Sequence, residues 1–485
     1  MPVWCCRCSL AGHFRNYGDT ETEGEIYNSL VQYFGDNLGR KVKAMPLVEE
    51  TSFLEDSSVT LPVVVIGNGP SGICLSYMLS GYRPYLSSEA VHPNTILQSK
   101  LQEARHLSLV DQNMEGSMLT ISFGNWMELP GLKFKDWVTS KRRNPKGDRV
   151  MPEEVARYYK HYVKVMGLQK NFRENTYITS VSRLYRDREE DGGQDAAIPA
   201  QHSQMEKSKF IKRNWEIRGY QRVADGSHVP FGLFAENVVL ATGTLDSPAR
   251  LEVEGEDFPF VFHSLPEFGA AVSKGKLRGQ VDPVLIVGSG LTAADAVLCA
   301  YNNNIPVIHV FRRRVTDPSL IFKQLPKKLY PEYHKVYHMM CTQSYSADLD
   351  LLSDYTSFPE HHVLSFKSDM KCILQSVSGL KKIFKLSAAV VLIGSHPNLS
   401  FLKEHGCYLG HDSGHPITCK GNPVAIDPYT YECVQEAHLF ALGPLVGDNF
   451  VRFLKGGALG VTHCLATRQK KKHLFVERGG GDGVA

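Results

Sequence analysis

Two short glycine-rich runs carry the chemistry most legible in this chain. Gly67-Asn68-Gly69-Pro70-Ser71-Gly72 is a complete G-x-G-x-x-G, placed after the apolar run Val63 to Ile66 and before an apolar-periodic stretch that closes at Gly81. In a strand-turn-helix of that kind the first glycine permits the tight turn, the second lets a pyrophosphate approach the backbone, and the third allows close helix-strand packing. The helix N-terminus adds N–H donors and a favourable dipole. An acid about 20 residues further on is expected to bind the ribose hydroxyls. Glu89 stands 22 residues after Gly67, at the end of the strand-like run "YRPYLSSE".

Gly288-Ser289-Gly290-Leu291-Thr292-Ala293 is the G-x-G-x-x-A variant in the same context. After the next β-run come Arg312, Arg313 and Arg314, the first lying 24 residues beyond Gly288. An acid there would bind a free 2′-hydroxyl, whereas arginines suit a 2′-phosphate through charge-assisted bidentate bonds. NADPH is therefore expected over NADH, with Arg312 and Arg313 as candidates. Ala241-Thr242-Gly243 ends the run "AENVVLATG", and Gly447-Asp448 precedes a glycine-rich helix start expected at Lys455 to Gly460. A carboxylate so placed can accept a hydrogen bond from a sugar-alcohol hydroxyl, and the helix end can face the negative part of a flavin ring. In chain order these features point to FAD in the first unit and NADPH in the second.

Other reactive groups carry less. Cys407, His411, His415 and Cys419 depart from the paired short loops of structural zinc sites, and no metal is expected. His361 and His362 are expected to be a solvated pair in a loop. No catalytic acid or base is assigned, because neither a Ser-His-Asp order nor paired carboxylates stand out and flavin chemistry requires neither.

These groups call for an α/β scaffold of two Rossmann-like dinucleotide-binding domains, the NADPH domain inserted into the FAD domain. The expected boundaries are 51–265 with 405–475 for the FAD domain and 270–400 for the NADPH domain, with an N-terminal extension (1–50) and a tail (476–485) both expected to be disordered. Pro152 at a first turn, then Val155, Tyr158, Tyr159, Tyr162, Val163 and Met166 at helical spacing, predict a packed helix within Met151 to Leu168. "TYITSVSRLY" and "NWEIRGY" predict a hairpin whose long loop, Arg186 to Lys209, is charged.

Composition agrees with a folded enzyme-sized protein. The 485 residues are 42% hydrophobic and 22% charged, which excludes collagen-like, mucin-like and wholly disordered classes. The balance of 54 Lys+Arg against 51 Asp+Glu gives +3, so nucleic acid is not an expected partner. Apolar runs such as Ala388 to Ile393 fall well short of the roughly 20 residues that cross a bilayer. Eleven scattered cysteines fit reduced thiols and an intracellular, cytoplasmic or nuclear setting.

Taken together, "GNGPSG", "ATGTLDSP", "LIVGSGLTAAD", "VFRRR" and "GPLVGDNFVRFLKGGALGV" resemble the oxidative stress-induced growth inhibitor family from about Met45 to the C-terminus. That family is similar to a divergent branch of the flavin-containing monooxygenases. The resemblance implies NADPH-dependent monooxygenation of a small molecule, restraint of cell growth, protein partners in growth or cell-cycle control and, for one member, a role in meiosis or germ-cell maturation. It also exposes a departure. Members carry a longer segment between "ARHLSLVDQ" and "NMEGSMLTIS", with a Gly-Gly-x-Trp stretch that in the monooxygenases lies against the isoalloxazine, whereas here Gln112 runs directly into Asn113. The monooxygenases' active-site asparagine has no assigned counterpart, Asn125 being near but not aligned. The alternative function is a regulatory interaction protein that keeps the fold as a scaffold.

Overall fold

The computed structural model describes residues 3–6, 60–82, 123–141, 150, 152–184, 213–277, 282–344 and 354–478. Glu89, the Gln112–Asn113 junction and the whole of the 186–209 loop lie outside the described residues. The chain divides into two compact units, one formed by Met1–Asp246 with Pro397–Ala485 and the other by Ser247–His396. The second is thus inserted into the first in sequence.

The first unit begins with β1 (Val3–Cys6), β2 (Thr60–Ile66), α1 (Pro70–Leu79), α2 (Phe134–Lys141), α3 (Pro152–Val165), β3 (Phe172–Arg173), β4 (Thr176–Arg183), β5 (Trp215–Arg222) and β6 (His228–Leu240). The second holds β7 (Ser247–Pro248), β8 (Val261–Phe262), α4 (Leu265–Ser273), β9 (Val284–Val287), α5 (Leu291–Asn302), β10 (Val307–Phe311), α6 (Pro331–Thr342), β11 (Tyr355–Pro359), β12 (His361–Phe366), β13 (Lys371–Ser376), β14 (Lys381–Lys385), β15 (Ala388–Val391) and β16 (Ser395–His396). The chain then returns to the first unit with β17 (Leu439–Ala441) and α7 (Val451–Arg478).

In the first unit the sheet order is β3-β1-β2-β6-β5-β4, with β17 also on β6. β6 does two jobs. Its first half pairs antiparallel with β5, His228 opposite Arg222, while its end runs parallel to β2 and β17, Ile66 opposite Leu240 and Leu439 opposite Val238. Side chains alternate across a strand, so the continuous run in β2 is explained by burial on both faces. Val63 and Val65 pack with α1, α3 and α7 through Cys74, Tyr158 and Val461, whereas Val64 and Ile66 pack on the other side with Trp215 and Leu409.

The second unit has a parallel sheet, β11-β10-β9-β15-β8, beside a three-stranded antiparallel sheet, β12-β13-β14. Phe358, Phe366, Leu374 and Val391 join one core cluster there.

Several expectations meet a different local structure. Val3–Cys6, within the expected extension, lies parallel to β2 with Cys6 opposite Ile66; two backbone edges in register outweigh the absence of a longer apolar pattern. The last helix starts at Val451 rather than in 455–460 and continues to Arg478, past the expected start of the tail. Its glycines serve packing: a Cβ on Gly457 would stand 2.8 Å from both Leu442 and Tyr431 side-chain atoms, and one on Gly460 2.8 Å from the Tyr429 carbonyl oxygen. His361 and His362 open strand β12 rather than lying in a loop.

Candidate dinucleotide sites

Each glycine motif sits where a central parallel strand turns into a helix. In the first, Gly67 has φ +119°, and a Cβ there would meet the Ala241 carbonyl oxygen at 2.3 Å. Only glycine tolerates that conformation and approach. A Cβ on Gly72 would stand 2.2 Å from the Gly67 carbonyl oxygen, the close helix-turn contact that the third glycine permits. Gly69 is different: nothing lies within 4 Å of where its Cβ would be. Backbone is therefore open to a ligand at the second glycine and closed against protein at the first and third.

The helix behind this turn leaves its first donors without a side-chain cap. Gly69 is the N-cap of α1, no side chain caps the helix, its first turn contains no acid, and Pro70 occupies the first turn. The donors that a serine or aspartate would ordinarily satisfy are left to solvent or to a ligand. Asn68, Gly69 and Pro70 are half-buried and Ser71 is buried.

Two later segments come to the same turn. Ala241 follows β6 and donates its N–H to the Ile66 carbonyl at 2.8 Å, with half-buried Thr242 and Gly243 beyond it. Gly443, which opens the segment "GPLVGDNFVRFLKGGALGV" but carries no assigned role there, would place a Cβ 2.5 Å from Ser71 Oγ, so its turn lies against the motif. From there the chain reaches Gly447, at φ +90°, and Asp448, whose N–H donates to the Gly443 carbonyl at 3.1 Å. The Asp448 carboxylate accepts from the Tyr431 hydroxyl at 3.3 Å. Desolvation pushes its carboxyl up to about 6, partly opposed by the Tyr431 bond. At neutral pH it remains a carboxylate with acceptor capacity to spare.

The second motif repeats the first. Gly288 has φ +132°, and its Cβ would stand 2.3 Å from the Leu392 carbonyl oxygen at the end of β15; Gly290 has nothing within 4 Å. Gly290 is the N-cap of α5, again without a capping side chain or an acid in the first turn. Ser289 is half-buried, Thr292 exposed and Ala293 buried. The three arginines separate cleanly. Arg313 donates to Ser319 Oγ at 2.6 Å and to the Ser319 carbonyl at 3.2 Å, and Arg314 donates to Glu360 at 2.8 Å. Arg312 is exposed and has no hydrogen-bond or ion-pair partner among the described residues.

Sequence reasoning passed over His309, a histidine in the middle of the apolar run of β10. The ring is fully buried, with Nε2 2.7 Å from the Gly288 carbonyl oxygen and Nδ1 2.8 Å from the Tyr355 hydroxyl. A polar residue inside an otherwise apolar strand was the available signal. His415 Nδ1 lies 2.7 Å from Asp412, and among the described residues no group of three or more His, Cys, Asp or Glu is arranged to hold a metal ion.

A twice-repeated strand-turn-helix, each with an open second glycine and an uncapped helix, defines an α/β protein of Rossmann-type flavoprotein fold. The B. cereus bacillithiol disulfide reductase structure shares that fold at TM-score 0.55 and 16% identity, over 84% of this chain and 99% of that one. No family model matches the chain. Among curated proteins, human oxidative stress-induced growth inhibitor 2 is 77% identical over 505 residues, covering 91% of this chain and 100% of that protein. Human oxidative stress-induced growth inhibitor 1 is 41% identical over 480 residues, covering 86% of this chain and 97% of that protein. The chain belongs to the oxidative stress-induced growth inhibitor family.

Proposed function

We propose that this protein is an FAD- and NADPH-dependent, monooxygenase-like flavoprotein acting in the restraint of cell growth under oxidative stress. The growth role follows the names of its relatives, and the family resemblance extends it to meiosis or germ-cell maturation and to protein partners in growth control. The observation that carries the biochemical reading is the paired openness of Gly69 and Gly290 at uncapped helix ends, beside first glycines packed on backbone.

The residues present fit both groups. Gly67, Asn68, Gly69, Pro70, Ser71 and Gly72 would cradle the FAD pyrophosphate, Ala241, Thr242 and Gly243 would flank it, Glu89 would take the ribose, and Gly447 and Asp448 would accept from the ribityl chain. Gly288, Ser289, Gly290, Thr292 and Ala293 would form the NADPH phosphate turn, with Arg312 on the 2′-phosphate; Arg313, engaged by Ser319, would brace the loop. When bound, the two groups supply hydride transfer and oxygen chemistry. The chain's own residues bind, orient and exclude water.

Gly69→Glu tests this directly, because a carboxylate in the cradle repels pyrophosphate. The variant should purify without flavin, while Gly290→Glu should keep flavin and lose NADPH binding. Flavin retained in Gly69→Glu would contradict the assignment. A second reading, regulation without turnover, is favoured by the alignment: its 505 residues exceed the 91% of this chain that takes part, so some of the relative has no counterpart here. Growth restraint that persists in flavin-free Gly69→Glu would select that reading.

A further inference from the structure

The two glycine turns are alike in their first and second positions and differ in how the first carbonyl is held. In the first unit the Gly67 carbonyl faces α1, since a Cβ at position 72 would stand 2.2 Å from it. In the second unit position 293 carries a methyl group, fully buried, and the Gly288 carbonyl is engaged from the neighbouring strand by His309 Nε2 at 2.7 Å. A carbonyl oxygen only accepts, so Nε2 carries the proton and Nδ1 is left to accept from the Tyr355 hydroxyl at 2.8 Å. Both ring nitrogens are thereby satisfied within the buried core. The tilt of the ring is set from both ends, by β9's turn on one side and by β11 on the other.

We propose that His309, oriented by Tyr355, is a positioning residue for nicotinamide-dinucleotide binding: it fixes the peptide between Gly288 and Ser289 and so aims the phosphate turn of the second unit. This rests on the reading of that unit as the NADPH site. The peptide is trans, so its N–H, that of Ser289, is directed opposite to the Gly288 carbonyl and therefore away from the His309 ring that holds that carbonyl. Drawing the carbonyl to the strand also removes it from α5, which leaves room for the Ala293 methyl where the first unit requires glycine. The histidine and the alanine are two parts of one solution to packing the turn.

The test compares His309→Leu, His309→Gln and Tyr355→Phe in the full chain, with NADPH binding measured by calorimetry and flavin content and circular dichroism measured alongside. His309→Leu removes the donor to Gly288 and should weaken NADPH about tenfold, the scale of one lost hydrogen bond. His309→Gln, whose amide nitrogen can reach the same carbonyl, should restore affinity to within about twofold of the original on the same scale, and Tyr355→Phe should fall between. Flavin content should be unchanged in all three. Wild-type affinity in both folded His309→Leu and Tyr355→Phe would overturn the proposal and leave the NADPH assignment standing. So would equal losses in Leu and Gln, which would mark a packing role. If His309→Leu does not fold, the ordering of Gln and Phe decides. An original chain that binds no NADPH would remove the assignment and the proposal together.

Discussion

On the proposed reading, Arg312 would set the second unit's preference between nicotinamide cofactors, because its two neighbours are already held by Ser319 and Glu360. Replacing it with Gln should lower NADPH affinity by about 10- to 100-fold, the scale of one or two charge-assisted bonds, with NADH affinity nearly unchanged. Arg314→Gln should leave the preference intact, and parallel titrations with the two cofactors check both. At the same scale, His309 makes stability depend on acid. Desolvation lowers its pKa to about 4, opposed by the bond to Gly288. Between that value and the ordinary histidine range the unfolded chain binds a proton that the folded chain does not, so stability falls as pH drops through this window. The loss is up to about 3 kcal/mol, and it should shrink in His309→Gln when denaturant midpoints are compared across the window. Residues acting through local backbone geometry, such as Gly67 and Gly290, were legible in the sequence because their motif is contiguous. His309, Gly443 and Tyr431 were not, since each acts on a partner brought near only by the fold.

Among the elements, α3 does more than cover the sheet. Its tyrosines latch the segment leading into α2: Tyr159 donates to the Met127 carbonyl at 2.9 Å, Tyr162 to Pro130 at 2.5 Å, and Tyr158 donates to Leu132 at 2.6 Å while accepting from the Leu129 N–H at 2.9 Å. Glu128 accepts from the Phe134 N–H at 3.1 Å, and the Arg452 guanidinium of α7 stacks over Trp126 at 4.6 Å. Tyr162→Phe should cost about 1–3 kcal/mol, because it leaves a buried carbonyl without its donor, and urea melts of the two chains measure it. Helical periodicity predicted α3 and its buried face, but periodicity carries no information about where hydroxyl groups point. The glycines of α7 misled for a related reason. In isolation they suggest a helix start, yet here they let the helix approach Tyr431 and Tyr429, and that requirement is written in another segment.

At the scale of the whole molecule, one construction occurs twice: a first glycine packed on the carbonyl that ends a neighbouring parallel strand, Ala241 in one unit and Leu392 in the other, and a second glycine left open. This duplication, and the insertion of one unit in the other, could be anticipated because each strand-turn-helix is local and the order of motifs is linear. The unit edges at Asp246 and His396 fell some residues from the expected boundaries, since the short β7–β16 pair that joins the ends of the insertion has almost no sequence signal. On the proposed reading, such a chain holds flavin in one unit and NADPH in the other. The visible absorbance spectrum of the purified protein, followed as NADPH is added under air, tests it most directly when run beside a version with the segment after Gln112 restored. Flavin bands that bleach on NADPH and return as oxygen is consumed are the expected result. Two colourless proteins that take up no added FAD would contradict it.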